Sequence, residues 1–63
     1  MPDFTVRDEG SIFLLTPETD AGRAWANDNL SEDAMTFGSA IVVEHRYIGA
    51  IVEGILADGL EVA

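Results

Sequence analysis

A chain of 63 residues with 48% hydrophobic residues, no cysteine and a formal charge of −9 has room for one domain, spanning 1–63, and is too apolar for a disordered polymer. A core of this size rarely supplies more than about 3–5 kcal/mol of net stability. Without cysteine, neither a disulfide nor a thiolate metal site can add to it.

Phe4-Thr5-Val6-Arg7 alternates apolar with polar, the pattern of a half-buried strand, and Asp8-Glu9-Gly10 supplies turn chemistry for a hairpin. The returning strand, Ser11 to Thr16, holds four consecutive apolar residues, Ile12 to Leu15, which places it centrally in a sheet and buried on both faces. Thr16 followed by Pro17 reads as an N-cap with proline in the first helical position, so a helix is predicted over Pro17 to Asp28. Ala21, Ala24 and Trp25 form its apolar face, and Asn29 in a left-handed C′ conformation would fold Leu30 back over Trp25.

After the polar connection Ser31-Glu32-Asp33, Met35 to Val43 reads as one strand with a bulge or bend near Gly38. From Tyr47 onward, Ile48, Ile51, Val52 and Ile55 keep helical spacing, and Asp58-Gly59-Leu60 ends that helix with Leu60 against Ile55. Leu60-Glu61-Val62 would be a short edge strand. The predicted order is β-β-α-β-α-β, an α+β single domain with a mainly antiparallel sheet and two helices on one face. The other face would be partly solvated or paired with a second copy.

Four features compete for a functional role. Asn27 to Asp33 sets oxygen ligands on alternate positions, but the sixth and twelfth positions, Glu32 and Gly38, are not the glycine and glutamate of a calcium loop, so no metal site is expected. Glu44-His45-Arg46-Tyr47 gathers the only histidine, the only tyrosine and one of three arginines where a strand hands over to a helix. Open N–H groups at that helix start together with Arg46 could grip an anion, and His45 could carry a proton near neutral pH. Packing of Tyr47 and pairing of His45 and Arg46 with nearby carboxylates is the competing structural reading.

Small residues form two stripes, Ala50, Gly54 and Ala57 on the second helix and Gly22 and Ala26 on the first, read as helix packing surfaces or as a homodimer interface. Acidic residues are scattered from Asp3 to Glu61 rather than forming a run, which solubility alone would produce. Twelve Asp and Glu against Arg7, Arg23 and Arg46 repel phosphate backbones and anionic lipid, which argues against direct nucleic-acid or membrane binding.

The stretches Gly10 to Leu15, Pro17, Ala24-Trp25, Val42 to Ile48, Ile51-Val52, Gly54-Ile55 and Asp58 to Leu60 resemble a set of short, uncharacterised bacterial and phage-associated proteins. Val42-Val43-Glu44-His45-Arg46-Tyr47-Ile48 is the distinctive part. The resemblance implies a small accessory or regulatory protein and carries over no functional residue.

No nucleophile and base pair can be assembled around a lone histidine, so neither an enzyme nor a cofactor is expected. The leading expectation is a small acidic module, cytoplasmic, that binds another protein of basic character. It would use an exposed sheet edge or the helix face bearing His45 and Arg46, with a homodimer as a further option. The alternative is a weak anion or nucleotide binder at the start of the second helix, with His45 and Arg46 as contacts.

Overall fold

The computed structural model describes residues 1–31 and 33–63; the part of the Ser31-Glu32-Asp33 connection and of the calcium-loop comparison that falls on Glu32 lies outside them. Strand β1 (Phe4–Asp8) pairs antiparallel with β2 (Ile12–Pro17) through a tight turn. There the Gly10 N–H donates to Asp8 Oδ1 at 2.8 Å, and Gly10 takes φ 93°, open to it because it has no Cβ.

Chain order then gives helix α1 (Asp20–Asn29), strands β3 (Thr36–Phe37) and β4 (Ala40–Glu44), and helix α2 (His45–Ala57). The sheet is antiparallel with spatial order β1-β2-β4-β3. This is an α+β fold, and β2 holds the expected central position between β1 and β4.

The element order differs from expectation, being β-β-α-β-β-α rather than β-β-α-β-α-β. The segment read as one bent strand is a hairpin: Thr36 and Phe37 turn back through Gly38 and Ser39 to pair with Ile41 and Ala40. Gly38 has φ 63° and Ser39 is not among the residues of positive φ, which is the pattern of a two-residue type II′ loop. At the other end, the short edge strand expected over Leu60-Glu61-Val62 is reduced to a single parallel bridge between Val62 and Phe4. The Val6 N–H donates to Ala63 O and the Ala63 N–H to Phe4 O, so the outer border of β1 is occupied.

Helix α1 begins three residues later than expected. Thr19, not Thr16, is the N-cap, its Oγ1 accepting from the Gly22 N–H at 3.0 Å, while Pro17 completes β2 opposite Phe4. Pro17 lies beyond the last β2 residue paired with β4, so its missing N–H costs no ladder bond there. The shift also changes the buried face: Gly22 and Ala26 are buried and Trp25 half-buried, whereas Ala21 and Ala24 are exposed.

Asn29 stays helical instead of turning left-handed, and its side-chain amide donates to the Trp25 carbonyl. The end of α2 is as expected, with Gly59 at φ 83° and the Leu60 N–H donating to Ile55 O.

Phe4, Leu15, Ala26, Val43 and Ile55 form the buried cluster, so β1, β2, α1, β4 and α2 each contribute one residue. Trp25 meets Phe4 edge-on, with centroids 5.9 Å apart at 85°, and its Nε1 donates to Asp58 Oδ2 at 2.6 Å. The two small-residue stripes do not zip together. Gly54 accommodates the Trp25 ring, Gly22 packs on the Asp3 backbone, and Ala50 and Ala57 remain exposed.

The burial pattern of β2 corrects another expectation, because only Leu15 is fully buried. Phe13 and Leu15 face the cluster, whereas alternation turns Ile12 and Leu14 to the opposite face, together with Val42 of β4 and Phe37 of β3.

Asp3 ties three segments together. Its Oδ1 accepts from the Thr19 hydroxyl at 2.6 Å, its Oδ2 from the Glu61 N–H at 2.9 Å, and its carbonyl from the Glu18 N–H at 2.8 Å. Donation by Thr19, then by the Glu61 amide, holds the Asp3 carboxyl below the ordinary aspartate range. A carboxylate whose folded pKa is depressed contributes stability that is present above its unfolded value, about pH 4, and lost as pH falls through the lowered value. We therefore expect the melting temperature of the parent protein to fall more steeply below about pH 4 than that of Asp3→Asn. Thermal melts at several pH values check this, and parallel curves would show that Asp3 does not carry the acid limb.

Candidate docking site beside the second helix

Strand β4 passes into α2 without a connecting loop: Glu44 is still extended, at φ −71° and ψ 152°, and His45 is already helical. The helix therefore starts two residues earlier than its apolar spacing suggested. Glu44 occupies the N-cap position but makes no side-chain capping bond. Successive helical residues point about 100° apart, so the four residues singled out in the sequence diverge.

The His45 ring leans on Phe13 of β2, with centroids 4.6 Å apart and the planes tilted by 48°. Arg46 lies 3.6 Å from Glu44 Oε1, and its guanidinium sits 4.9 Å from the centre of the Tyr47 ring. Tyr47 is 50% exposed. The structure thus brings Glu44, Arg46 and Tyr47 together and takes His45 away from them.

Glu44 and Tyr47 line a groove of about 390 Å³ whose other walls include Leu30, Ala34, Val43 and Ile51. It runs beside the outer border of β4. Strand β3 pairs only with Ala40 and Ile41, and the Val42 N–H donates to Met35 O at 2.8 Å. Val43 turns its own N–H and C=O toward β2, so beyond that bond the Val42 carbonyl and the Glu44 N–H are, among the described residues, the backbone groups without a strand partner on this side. The groove therefore combines an open backbone border with apolar walls, which is what an added strand requires.

Leu30, Ala34 and Ile51 were absent from the sequence-based site. Their apolar character was legible, but their meeting beside Tyr47 depends on how the end of α1 and the body of α2 pack on β4.

Electrostatically the site is acidic to neutral. Each arginine lies in an exposed ion pair, Arg7 with Glu9, Arg23 with Asp20 and Arg46 with Glu44, so no cluster of cations forms. Among the described residues no three His, Cys, Asp or Glu side chains come together as metal ligands, and no helix is long and apolar enough to cross a membrane. No protein-family model, curated protein or solved structure matches the chain.

Proposed function

We propose that the protein is a small acidic interaction module of the cytoplasm that holds an extended segment of another protein in the groove beside β4. The observation that carries this reading is the coincidence of backbone groups free on the outer side of β4, the Val42 carbonyl and the Glu44 N–H, with the apolar walls Leu30, Tyr47 and Ile51. An added strand would gain main-chain hydrogen bonds from the border and side-chain contacts from the walls. The net charge of −9 favours lysine or arginine in the bound segment and accelerates its capture at low salt.

An anion or nucleotide site at the start of α2 draws support from its uncapped N-terminus. The Glu44 carboxylate beside Arg46 weighs against it, because it already occupies the nearest cation.

The test is an NMR titration with a panel of short peptides alternating apolar residues with lysine, at low and physiological salt, beside a titration with inorganic phosphate. Amide shifts should centre on Val42 to Tyr47 and Ile51, weaken with salt, and require about tenfold more peptide in Tyr47→Ala. Shifts over His45 to Ile48 with phosphate alone would instead select the anion reading. Peptide shifts that avoid the groove, or none at millimolar peptide, would overturn strand addition.

A further inference from the structure

We infer that the sheet face turned away from the core is a self-association surface, on which a second copy of this chain packs face to face. It does not depend on the groove reading, although Val42 and Glu44 border both surfaces.

The register sets Arg7 of β1 opposite Leu14 of β2, Leu14 opposite Val42 of β4, and Ile12 opposite Glu44. Ile12, Leu14, Val42 and Phe37 surround a shallow hollow of about 220 Å³, with Glu9 at its rim. Phe37 is 73% exposed although it pairs within the sheet. None of these four belongs to the buried cluster or to the side chains packed against it.

Three observations select a second copy as the occupant. The centre of the face carries no charge, so a basic partner would find no carboxylate to meet there; the ionic residues Arg7, Glu9 and Glu44 stand at its borders. The borders are also self-complementary. A two-fold axis along the strands, through the middle of the order β1-β2-β4-β3, lays β1 of each copy over the β4–β3 side of the other, which brings Arg7 toward the border that bears Glu44. Finally, among the described residues only three large side chains, Phe4, Leu15 and Ile55, are wholly buried, and no disulfide braces the chain, so covering this face would add apolar burial that one copy lacks.

Three strands of five or six residues, about 4.8 Å apart and rising about 3.3 Å per residue, give a face of roughly 14 Å by 17 Å, extended at one end by the two residues of β3. That area suits a small, exchanging interface rather than an obligate one. Its salt response is opposite in sign to that of the groove. Two copies of charge −9 repel, and this repulsion outweighs two reciprocal ion pairs, so added salt strengthens the dimer while it weakens capture of a basic peptide.

Sedimentation equilibrium of the full chain from about 10 μM to about 1 mM reads the result. The weight-average mass should climb from 6.8 kDa toward twice that value, and should climb sooner in about 0.5 M salt. Phe37→Asp, at an exposed position that leaves circular dichroism unchanged, should hold the protein monomeric throughout, as should Leu14→Asp. Arg7→Glu should weaken association about tenfold, and Arg7→Glu combined with Glu44→Arg should restore it.

A mass of 6.8 kDa at every concentration and salt would overturn the inference. So would a dimer that ignores Phe37→Asp, or one abolished by Tyr47→Ala instead. Failure of the peptide titration leaves these readouts untouched, because Leu14 and Phe37 line this face and not the groove.

Discussion

Leu15→Ala should leave the protein largely unfolded at room temperature. Leu15 is wholly buried in the central strand, opposite Val6 on one side and Ile41 on the other, and packs in the cluster of Phe4, Ala26, Val43 and Ile55. Truncating a buried leucine costs about 2–5 kcal/mol through lost transfer energy and the cavity left behind. A domain of this size has about 3–5 kcal/mol of net stability in total, so one substitution consumes most of it. Leu15→Met keeps the volume and should cost less than about 1.5 kcal/mol. Urea unfolding followed by Trp25 emission distinguishes them, because the indole lies against Phe4 of the same cluster. Leu15→Met should show a shifted midpoint with a folded baseline, and Leu15→Ala no folded baseline. A Leu15→Ala midpoint close to that of the parent would mean that stability resides outside this cluster.

Alanine at Gly22 and alanine at Gly49 should move stability in opposite directions although both sites are helical. A Cβ at Gly22 would overlap the Asp3 carbonyl oxygen, a backbone atom already engaged by the Glu18 N–H. Relieving that overlap means moving β1 away from the start of α1, which strains packing and threatens the bonds from Glu18 and Thr19 to Asp3. Overpacking of this kind costs about 1–3 kcal/mol, and an unpaired amide adds about 1–3 kcal/mol where it stays buried. The helix-propensity gain of about 1 kcal/mol does not offset it. Gly49 has open space where a Cβ would go, so Gly49→Ala gains that propensity and should raise stability by about 0.5–1 kcal/mol. Midpoints of urea unfolding for the two variants check the contrast. A neutral or stabilising Gly22→Ala would show that β1 can withdraw from α1 without loss.

What the residues disclosed, and what they concealed, follows from the range of the forces involved. The hairpin at Asp8 to Gly10, the central place of β2 and the stop at Gly59 rest on local chemistry, and all three are as the sequence predicted. Two further local signals were present but masked by stronger neighbours. Gly38-Ser39 is a two-residue hairpin loop, hidden because apolar residues continue on both sides of it. Thr19 is a capping residue hidden by Thr16-Pro17, and what selects it is distant in sequence, since its hydroxyl also donates to Asp3. The candidate site divides similarly. The handover from strand to helix at Glu44 was readable, and the helical rotation per residue already implied that His45 and Tyr47 would part. The walls at Leu30, Ala34 and Ile51 come from separate parts of the chain and meet only through tertiary packing. Phe37 was read as an ordinary strand residue, because its exposure depends on which face of the sheet the buried cluster occupies.

The pairing of Val62 and Ala63 with β1 bears on how the protein avoids aggregation. A bare β1 would offer Phe4 to Val6 as a template on which other chains could grow, and the last residues of this sequence cover that border while Asp3 and Glu61 place carboxylates beside it. The two protections fail at different pH. Net charge vanishes near pI 4.1, where Asp3, its carboxyl held below the ordinary aspartate range by Thr19 and the Glu61 amide, still grips that amide. The border therefore stays covered where repulsion between molecules is weakest, and it is released only in stronger acid, as Asp3 takes up its proton.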